Sequence, residues 1–325
     1  MAELKTQCPH CGKRYLVEEK HLGQNVECEK CRRSFDIARY DPSRKRPRLS
    51  PIGVGTATGP LNLAGHKPLI GDRMEDGAEE ITIPRLDVTL RRVEPGSFMC
   101  GRNDGYGDEQ PVHKVSITRS FWIGTRPVTQ AVYQRIMVRN PSYFLGENRP
   151  VETLTWDEAV EFCRCLTELL RARGLLKGTA RFRLPTEAEW EYVCRTVPVA
   201  EEVAVDDVRE TRRFAFGDDA SELAEYAWFC KNSGGRTHDV ATRAASPRGL
   251  YDLHGNVGEW CLDWLAPYTS EEQADPRGPA TGERKVRRGG TWGSTASRCL
   301  GADRLGVAPN CRSALVGFRV LLAWS

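Results

Sequence analysis

The residues whose type and spacing could do chemistry begin with four cysteines near the start of the chain. Cys8-Pro-His-Cys11 and Cys28-Glu-Lys-Cys31 form two C-x2-C pairs with sixteen residues between them. Each pair makes a tight knuckle, and Gly12 suits the turn after the first. Four thiolates at about 2.3 Å complete the tetrahedron of a zinc ion and leave no open position, so such a site is structural and not catalytic. The competing use, a redox dithiol, needs one pair in a thioredoxin-like frame and not two pairs within residues 1–40. His10, inside the first knuckle, reads as a solvated surface histidine.

Three zones of the chain must position these and any other functional groups. Residues 1–40 carry the cysteine pairs and short β-like runs such as Tyr15-Leu16-Val17 and Ser34-Phe35-Asp36-Ile37. They are expected to form a small β zinc ribbon that docks a partner or contacts nucleic acid. Residues 41–80 are rich in Pro, Gly, Thr and Arg, include the basic run Arg44-Lys45-Arg46-Pro47-Arg48, and read as a flexible linker. Residues 81–325 alternate short strands, helices and many Gly or Asn turns, with no internal repeat. At about 240 residues this zone can bury roughly 70–75% of its unfolded surface and needs no staples.

The balance of charge limits the partners. A net charge of +3 argues against a chain whose main task is coating nucleic acid or an acidic membrane. No stretch approaches the roughly 18–20 apolar residues of a membrane span. The opening MAELKTQCPHCG has no apolar h-region, so a cytoplasmic protein is expected, with its 12 cysteines as thiols or metal ligands.

Helix starts are legible in the third zone. Thr155-Trp156-Asp157-Glu158 and Thr186-Glu187-Ala188-Glu189 are capping boxes, in which a Thr hydroxyl and a Glu carboxylate satisfy free amides of the first turn. Behind the first box, Ala159, Val160, Phe162, Cys163, Leu166, Leu169 and Leu170 recur at helical spacing. A shorter helix is expected from Thr129 to about Met137. Residues 215–320 read as loop-rich with short strands. Cys163 and Cys165 point to different sides of a helix and cannot chelate one ion. His113, ahead of an alternating strand, reads as structural. Arg288, Arg298, Arg304 and Arg319 are expected in buried or half-buried polar networks, where guanidinium contacts replace secondary-structure bonds.

Several longer runs carry a family signature. They are Phe98-Met99-Cys100-Gly101, Pro111-Val112-His113, Arg126-Pro127-Val128-Thr129-Gln130 and Pro150-Val151-Glu152. Phe182 to Tyr192 (FRLPTEAEWEY) and Gly249 to Trp260 (GLYDLHGNVGEW) follow, and Arg288-Gly289-Gly290-Thr291-Trp292 and Gly317-Phe318-Arg319-Val320 close the series. In order and spacing these resemble the formylglycine-generating enzyme family, also called sulfatase-modifying factors. The resemblance covers roughly residues 85–322. It implies an α+β, C-type-lectin-like, loop-rich fold, often tightened by calcium.

It also implies a chemistry. The best-known members oxidise a sulfatase cysteine to formylglycine with O2, using copper(I) held by two cysteines near the C-terminus. Copper(I) is soft, and two thiolates suffice for a near-linear site with room for the substrate sulfur. Those cysteines stand six and eleven residues after the Arg of the Arg-Gly-Gly run, and here the two positions hold Ser294 and Cys299. A protonated hydroxyl cannot replace a thiolate on copper(I), so copper binding is not expected. With a gap in the alignment, Arg298-Cys299 becomes a structural element ahead of Asp303-Arg304 instead. Two further departures are Gly258, where members often carry Trp, and Tyr226-Ala227-Trp228, where active oxidases carry a calcium-binding Asn. Asn256 and Glu259 keep the second calcium region, where carboxylate, amide and carbonyl oxygens suit a hard cation. The alternative is that Asn256 caps the turn and Glu259 pairs with an arginine.

The expectation is a diverged paralogue that binds a ligand or protein, or regulates. The alternative is a working oxidase joining Cys299 to a second thiol from Cys100, Cys261 or Cys311. A non-haem iron enzyme akin to the sulfoxide synthases needs a three-histidine site. The chain has only six histidines and no H-x3-H-x-E run.

Overall fold

The architecture is that of a computed structural model, which describes four strands within residues 1–36 and then residues 79–198 and 208–324. The candidate zinc ligands Cys8, Cys11, Cys28 and Cys31, and the run Arg44 to Arg48, lie outside the described residues. The chain divides into two units, residues 1–62 and 63–325. In the first, β1 (Glu3–Gln7) pairs antiparallel with β2 (Arg14–Glu18), and β3 (Asn25–Glu27) with β4 (Ser34–Asp36). In sequence, each C-x2-C pair falls between the two strands of one such hairpin.

The second unit opens with β5 (Glu80–Ile83), β6 (Val88–Val93), β7 (Gly96–Cys100), β8 (His113–Ile117) and β9 (Phe121–Gly124). The helices α1 (Gln130–Met137) and α2 (Trp156–Ala172) follow, then β10 (Arg181–Arg183) and α3 (Glu187–Arg195). The remainder holds β11 (Val208–Arg209), α4 (Leu223–Tyr226), β12 (Gly258–Trp264) and β13 (Gln273–Ala274). It closes with β14 (Lys285–Arg288), β15 (Arg304–Val307), β16 (Val316–Gly317) and β17 (Leu321–Ala323). They assemble into a five-stranded sheet ordered β10-β17-β9-β6-β5 and two four-stranded sheets, β11-β7-β8-β13 and β15-β14-β12-β16. Among the described residues no helix is long and apolar enough to cross a membrane.

The capping chemistry read from the sequence sets the helix starts. Thr155 and Thr186 close complete capping boxes with Glu158 and Glu189, and Thr129 caps α1 through Val132 N. The apolar stripe of α2 buries Phe162, which stacks on Tyr133 of α1 at 5.5 Å and meets Phe318 edge-on at 5.3 Å. Cys163 is buried and Cys165 half-buried, as their separation on the helix requires.

All nine residues of α3 are buried, although three are glutamates. Buried charge persists only where it is paired and hydrogen-bonded. Here Glu187 takes Arg304 in a bidentate pair at 2.7 and 2.5 Å. Glu189 takes Arg183 at 2.6 and 2.7 Å. Glu191 bridges Arg195, at 2.5 Å, and Arg288. Around this hub Trp190, Tyr192, Phe98, Phe121, Val286 and Leu321 form the main apolar core. The expected arginine networks are therefore present, with Arg298 paired to Asp303 at 2.9 Å. His113 sits in β8 with Nδ1 3.1 Å from the Pro111 carbonyl and its ring edge-on to Tyr268, which is a packing role.

Candidate functional site

The stretch after β14 is built on two glycines that leave no room for a side chain. Gly289 has φ +73°, and a Cβ on Gly290 would fall 2.4 Å from the Cys299 sulfur and 2.7 Å from the His254 carbonyl. The chain can therefore fold back on itself, bringing Thr291 to Ser294 and Cys299 against the Leu253 to Asn256 turn. This is why the Gly-Gly pair precedes the site positions.

Ser294 is engaged by its own turn. Its Oγ accepts from Thr291 N at 3.0 Å and lies 3.0 Å from Thr291 Oγ1, while its N donates to the Thr291 carbonyl at 3.0 Å. Cys299 ends a short 3-10 turn and is completely buried in a cluster with Phe214, Leu223, Ala227, Phe229 and Leu300. Burial pushes its thiol well above the ordinary value, and Asp303 and Cys230 push the same way. Its carbonyl accepts from His254 Nδ1 at 2.8 Å, while His254 Nε2 accepts from Ala215 N at 2.8 Å. That pair of contacts fixes a neutral His254 with its proton on Nδ1. Burial depresses its pKa to about 4.

The structure therefore gives Ser294 and Cys299 different surroundings. One hydroxyl bonded within its own turn and one protonated thiol in an apolar cluster do not fit a copper(I) ion, which needs accessible thiolates. Of the three thiols considered as substitutes, Cys100 and Cys261 belong to the main core around α3, and Cys311 is half-buried in the loop before β16. Cys100 Sγ is engaged by Glu191 at 3.4 Å. Sequence reasoning missed Cys230. It is exposed, its N donates to the Ser294 carbonyl at 3.0 Å, and it is near enough to Cys299 to perturb that thiol. No motif spacing marks Cys230, because it comes from a different loop.

Asn256 and Glu259 are not brought together on one cation. Asn256 has φ +60°, a conformation that Asn tolerates better than most residues. Its Oδ1 accepts from His238 N at 2.9 Å, and its Nδ2 donates to the His238 carbonyl at 3.0 Å and to Asp252 at 3.2 Å. Its backbone ties to the Trp228 carbonyl at 2.7 Å and to Trp292 N at 2.9 Å. Asn256 thus pins four segments of loop together. Glu259 accepts from Trp190 Nε1 at 2.8 Å and from Arg319 through two bonds of 2.6 Å. A dication there would sit beside a guanidinium and compete with it for both oxygens. As paired here, the two side chains do not fit calcium.

Around this turn lies an aromatic and basic face. Trp228 stacks on His238 with centroids 3.7 Å apart, and Arg243 covers Trp228 at 3.7 Å. Phe144 meets Trp292 edge-on at 5.6 Å, next to Tyr143 and Leu145, which are 62% and 69% exposed. Beneath them Glu152 accepts from the backbone N–H groups of Tyr143 and Phe144, both at 2.7 Å, and holds that loop down.

Comparison with known proteins places this geometry in a class. Residues 87–324 match the sulfatase-modifying factor enzyme 1-like domain, and the chain belongs to this family of formylglycine-generating-enzyme domains. It is 32% identical to the formylglycine-generating enzyme of Streptomyces coelicolor over 190 residues, 53% of this chain and 52% of that protein. It is 27% identical to serine/threonine-protein kinase pkn1 of Chlamydia caviae over 284 residues, 78% of this chain and 41% of the kinase. The chain thus spans about half the length, or less, of these two curated relatives. Its fold is similar to Treponema denticola variable protein 1, with a TM-score of 0.64 and 30% identity over 74% of this chain and 97% of that one.

Proposed function

We propose that this family member binds a peptide or protein ligand on the face around Asn256, Trp228 and Trp292, and that it does not oxidise cysteine. The observation that carries this reading is the pairing of Ser294 within its own turn with the full burial of the Cys299 thiol. The scaffold that positions the family's chemistry is kept, while the soft, ionisable donor pair is absent. The test is copper(I) titration of the purified protein, with O2-dependent oxidation of a sulfatase-derived Cys-x-Pro-x-Arg peptide read by mass spectrometry. Neither tight binding nor oxidation is expected. Ser294→Cys supplies the missing ligand type, and any copper(I) affinity it creates, which would need the Cys299 loop to open, should be removed by Cys299→Ala. Turnover of the peptide by the unmutated protein overturns the reading.

One observation favours a second reading, the oxidase. Cys230 supplies an exposed thiol beside Ser294, so a copper site of Cys230 and Cys299 is the form that activity would take. It would require the Cys299 loop to open.

The four N-terminal cysteines carry a separate part of the proposal. A structural zinc on Cys8, Cys11, Cys28 and Cys31, with the ribbon docking a partner protein or nucleic acid with help from Arg44 to Arg48, is supported by the placement of each pair between two antiparallel strands. Metal analysis should find one zinc per chain. Cys28→Ser should release it and leave the melting of the larger unit unchanged, because a ribbon of this size depends on metal binding for its folding energy.

A further inference from the structure

The face around Trp228 carries basic groups that no carboxylate of the fold closes in an ion pair. Arg149, Arg236 and Arg243 surround His238, and Lys231 is exposed on the same loop. Among the described residues, none of these four basic groups pairs with a carboxylate. This contrasts with the arginines around α3, where Arg183, Arg195, Arg288 and Arg304 each meet a glutamate. Arg149 donates only to Thr237, and Arg243 lies flat on Trp228 with its Nε buried and without an acceptor. A buried donor with no acceptor costs free energy unless something outside the chain satisfies it. Beside the charges stand apolar groups that are also uncovered, Tyr143 and Leu145. Their loop is tied to the Trp228 loop by Val240 N to the Asn148 carbonyl at 2.9 Å. The nearby carboxylates are either buried and bonded to loop amides, as Glu152 and Asp252 are, or exposed and not ion-paired with these groups, as Glu147, Glu225 and Asp239 are.

We infer that the occupant of this face is an acidic polypeptide segment, whose Glu or Asp side chains meet Arg236, Arg243 and Lys231 while an adjacent apolar side chain covers Tyr143 and Leu145. Guanidinium groups suit carboxylates because their N–H forks match the two oxygens. An unpaired cluster also steers an anionic partner inward before contact. A peptide fits better than a nucleic acid because both faces of the Trp228 ring are already covered, by Arg243 and by His238. No indole face remains on which a base could stack. The exposed aliphatic group, Leu145, also has no complement on a nucleic acid. The inference rests on the reading that this face binds polypeptide, and it adds the charge class.

The test uses the full chain and a fluorescein-labelled peptide of alternating Glu and Leu, read by anisotropy. Its Gln counterpart and a single-stranded oligothymidylate of equal charge serve as comparators. Amide shifts in residues 228–243 report binding at the face by NMR. The Glu peptide should bind at least tenfold more tightly than the Gln peptide and lose affinity with salt. Arg236→Glu, an exposed position whose variant should fold normally, should weaken it at least fivefold, and Arg243→Gln should do the same. If the Gln peptide binds the same residues equally well, the charge class is wrong and the peptide-binding reading survives. If neither peptide shifts residues 228–243, both fail. Tighter binding of the oligonucleotide, or undiminished affinity in Arg236→Glu, also overturns the inference.

Discussion

Two regions of this molecule are rich in charged side chains, and they handle charge in opposite ways. Around α3 every glutamate is closed against an arginine and none is open to solvent. Around the Asn256 turn the basic groups outnumber their partners, and the polar side chains are spent on holding loops together. The first pattern is what a core needs if charge is to be buried at all. The second leaves donors free for something outside the chain. Formally similar arginines therefore carry different meanings, and the difference lies in what faces each guanidinium.

The sharpest way to break this comparison is at the hub. Burial pushes the Glu191 carboxyl up, but Arg288, Arg195 and the Gly101 N–H pull it further down, to about 2. Glu191→Ala leaves two buried guanidiniums without a shared partner and should cost about 3–5 kcal/mol, read as a lower urea midpoint. Replacing Glu191 and Arg288 together by Leu and Met should recover part of the loss, since two apolar groups leave no uncompensated charge. If Glu191→Ala costs no more than Arg236→Ala on the open face, the contrast between the regions fails. The pH dependence follows the same logic. A carboxylate depressed in the folded state contributes stability above its unfolded pKa of about 4.5, which is lost as pH falls toward 2.

These two regions were not equally legible in the sequence. The hub and its helix were, because local chemistry writes them. Thr155 and Thr186 announce their helices, and the FRLPTEAEWEY run specifies α3 and places its three glutamates on it. That Arg288, Arg304 and Arg319 would be buried was also legible, though not which carboxylate each would meet. The open face was largely hidden. Cys230, Trp228, His238 and Arg243 come from a segment with little regular structure, whose course is set by contacts to Asn256 and Asn148 far away in sequence. Counting from Arg288 singled out Ser294 and Cys299. It could not show that the Ser294 hydroxyl is bonded within its own turn or that the Cys299 thiol is sealed by Phe214 and Phe229. Glu259 shows the same limit, since only the fold reveals that Arg319 holds both of its oxygens.

A smaller effect is expected at the loop of Tyr143 and Phe144. Burial raises the Glu152 carboxyl from 4.5 to about 7, although the N–H groups of Tyr143 and Phe144 favour its charged form. A group whose folded pKa is raised contributes stability that is fully present below the unfolded pKa and lost as pH rises through the folded one. Stability should therefore decline between about pH 4.5 and 7, opposite in sign to the Glu191 effect and in a separate window. Asp263, raised by burial to about 7, adds to that decline. Glu152→Gln keeps one acceptor for the loop and should flatten the slope in thermal melts taken across this range. An unchanged slope would assign the decline to Asp263 and to Asp252, which burial raises to about 6, and remove Glu152 from the account.

The smallest effect belongs to Cys230, and its smallness is informative. The side chain is exposed and makes no contact that a hydroxyl would break, so Cys230→Ser should change stability by less than about 0.5 kcal/mol. Cys299→Ser places a hydroxyl among Phe214, Phe229 and Leu300 with no acceptor provided, and should cost about 1–3 kcal/mol. If the two thiols formed a hidden copper site, the variants would behave alike. Each would abolish copper(I) binding, and copper would stabilise the unmutated protein by mass action. If Cys299 is a core residue and Cys230 a surface one, they separate, one losing stability and the other nothing, with copper making no difference to either. Thermal melts of the two variants with and without copper(I) therefore decide whether this second region is an opened binding face or a closed remnant of catalysis.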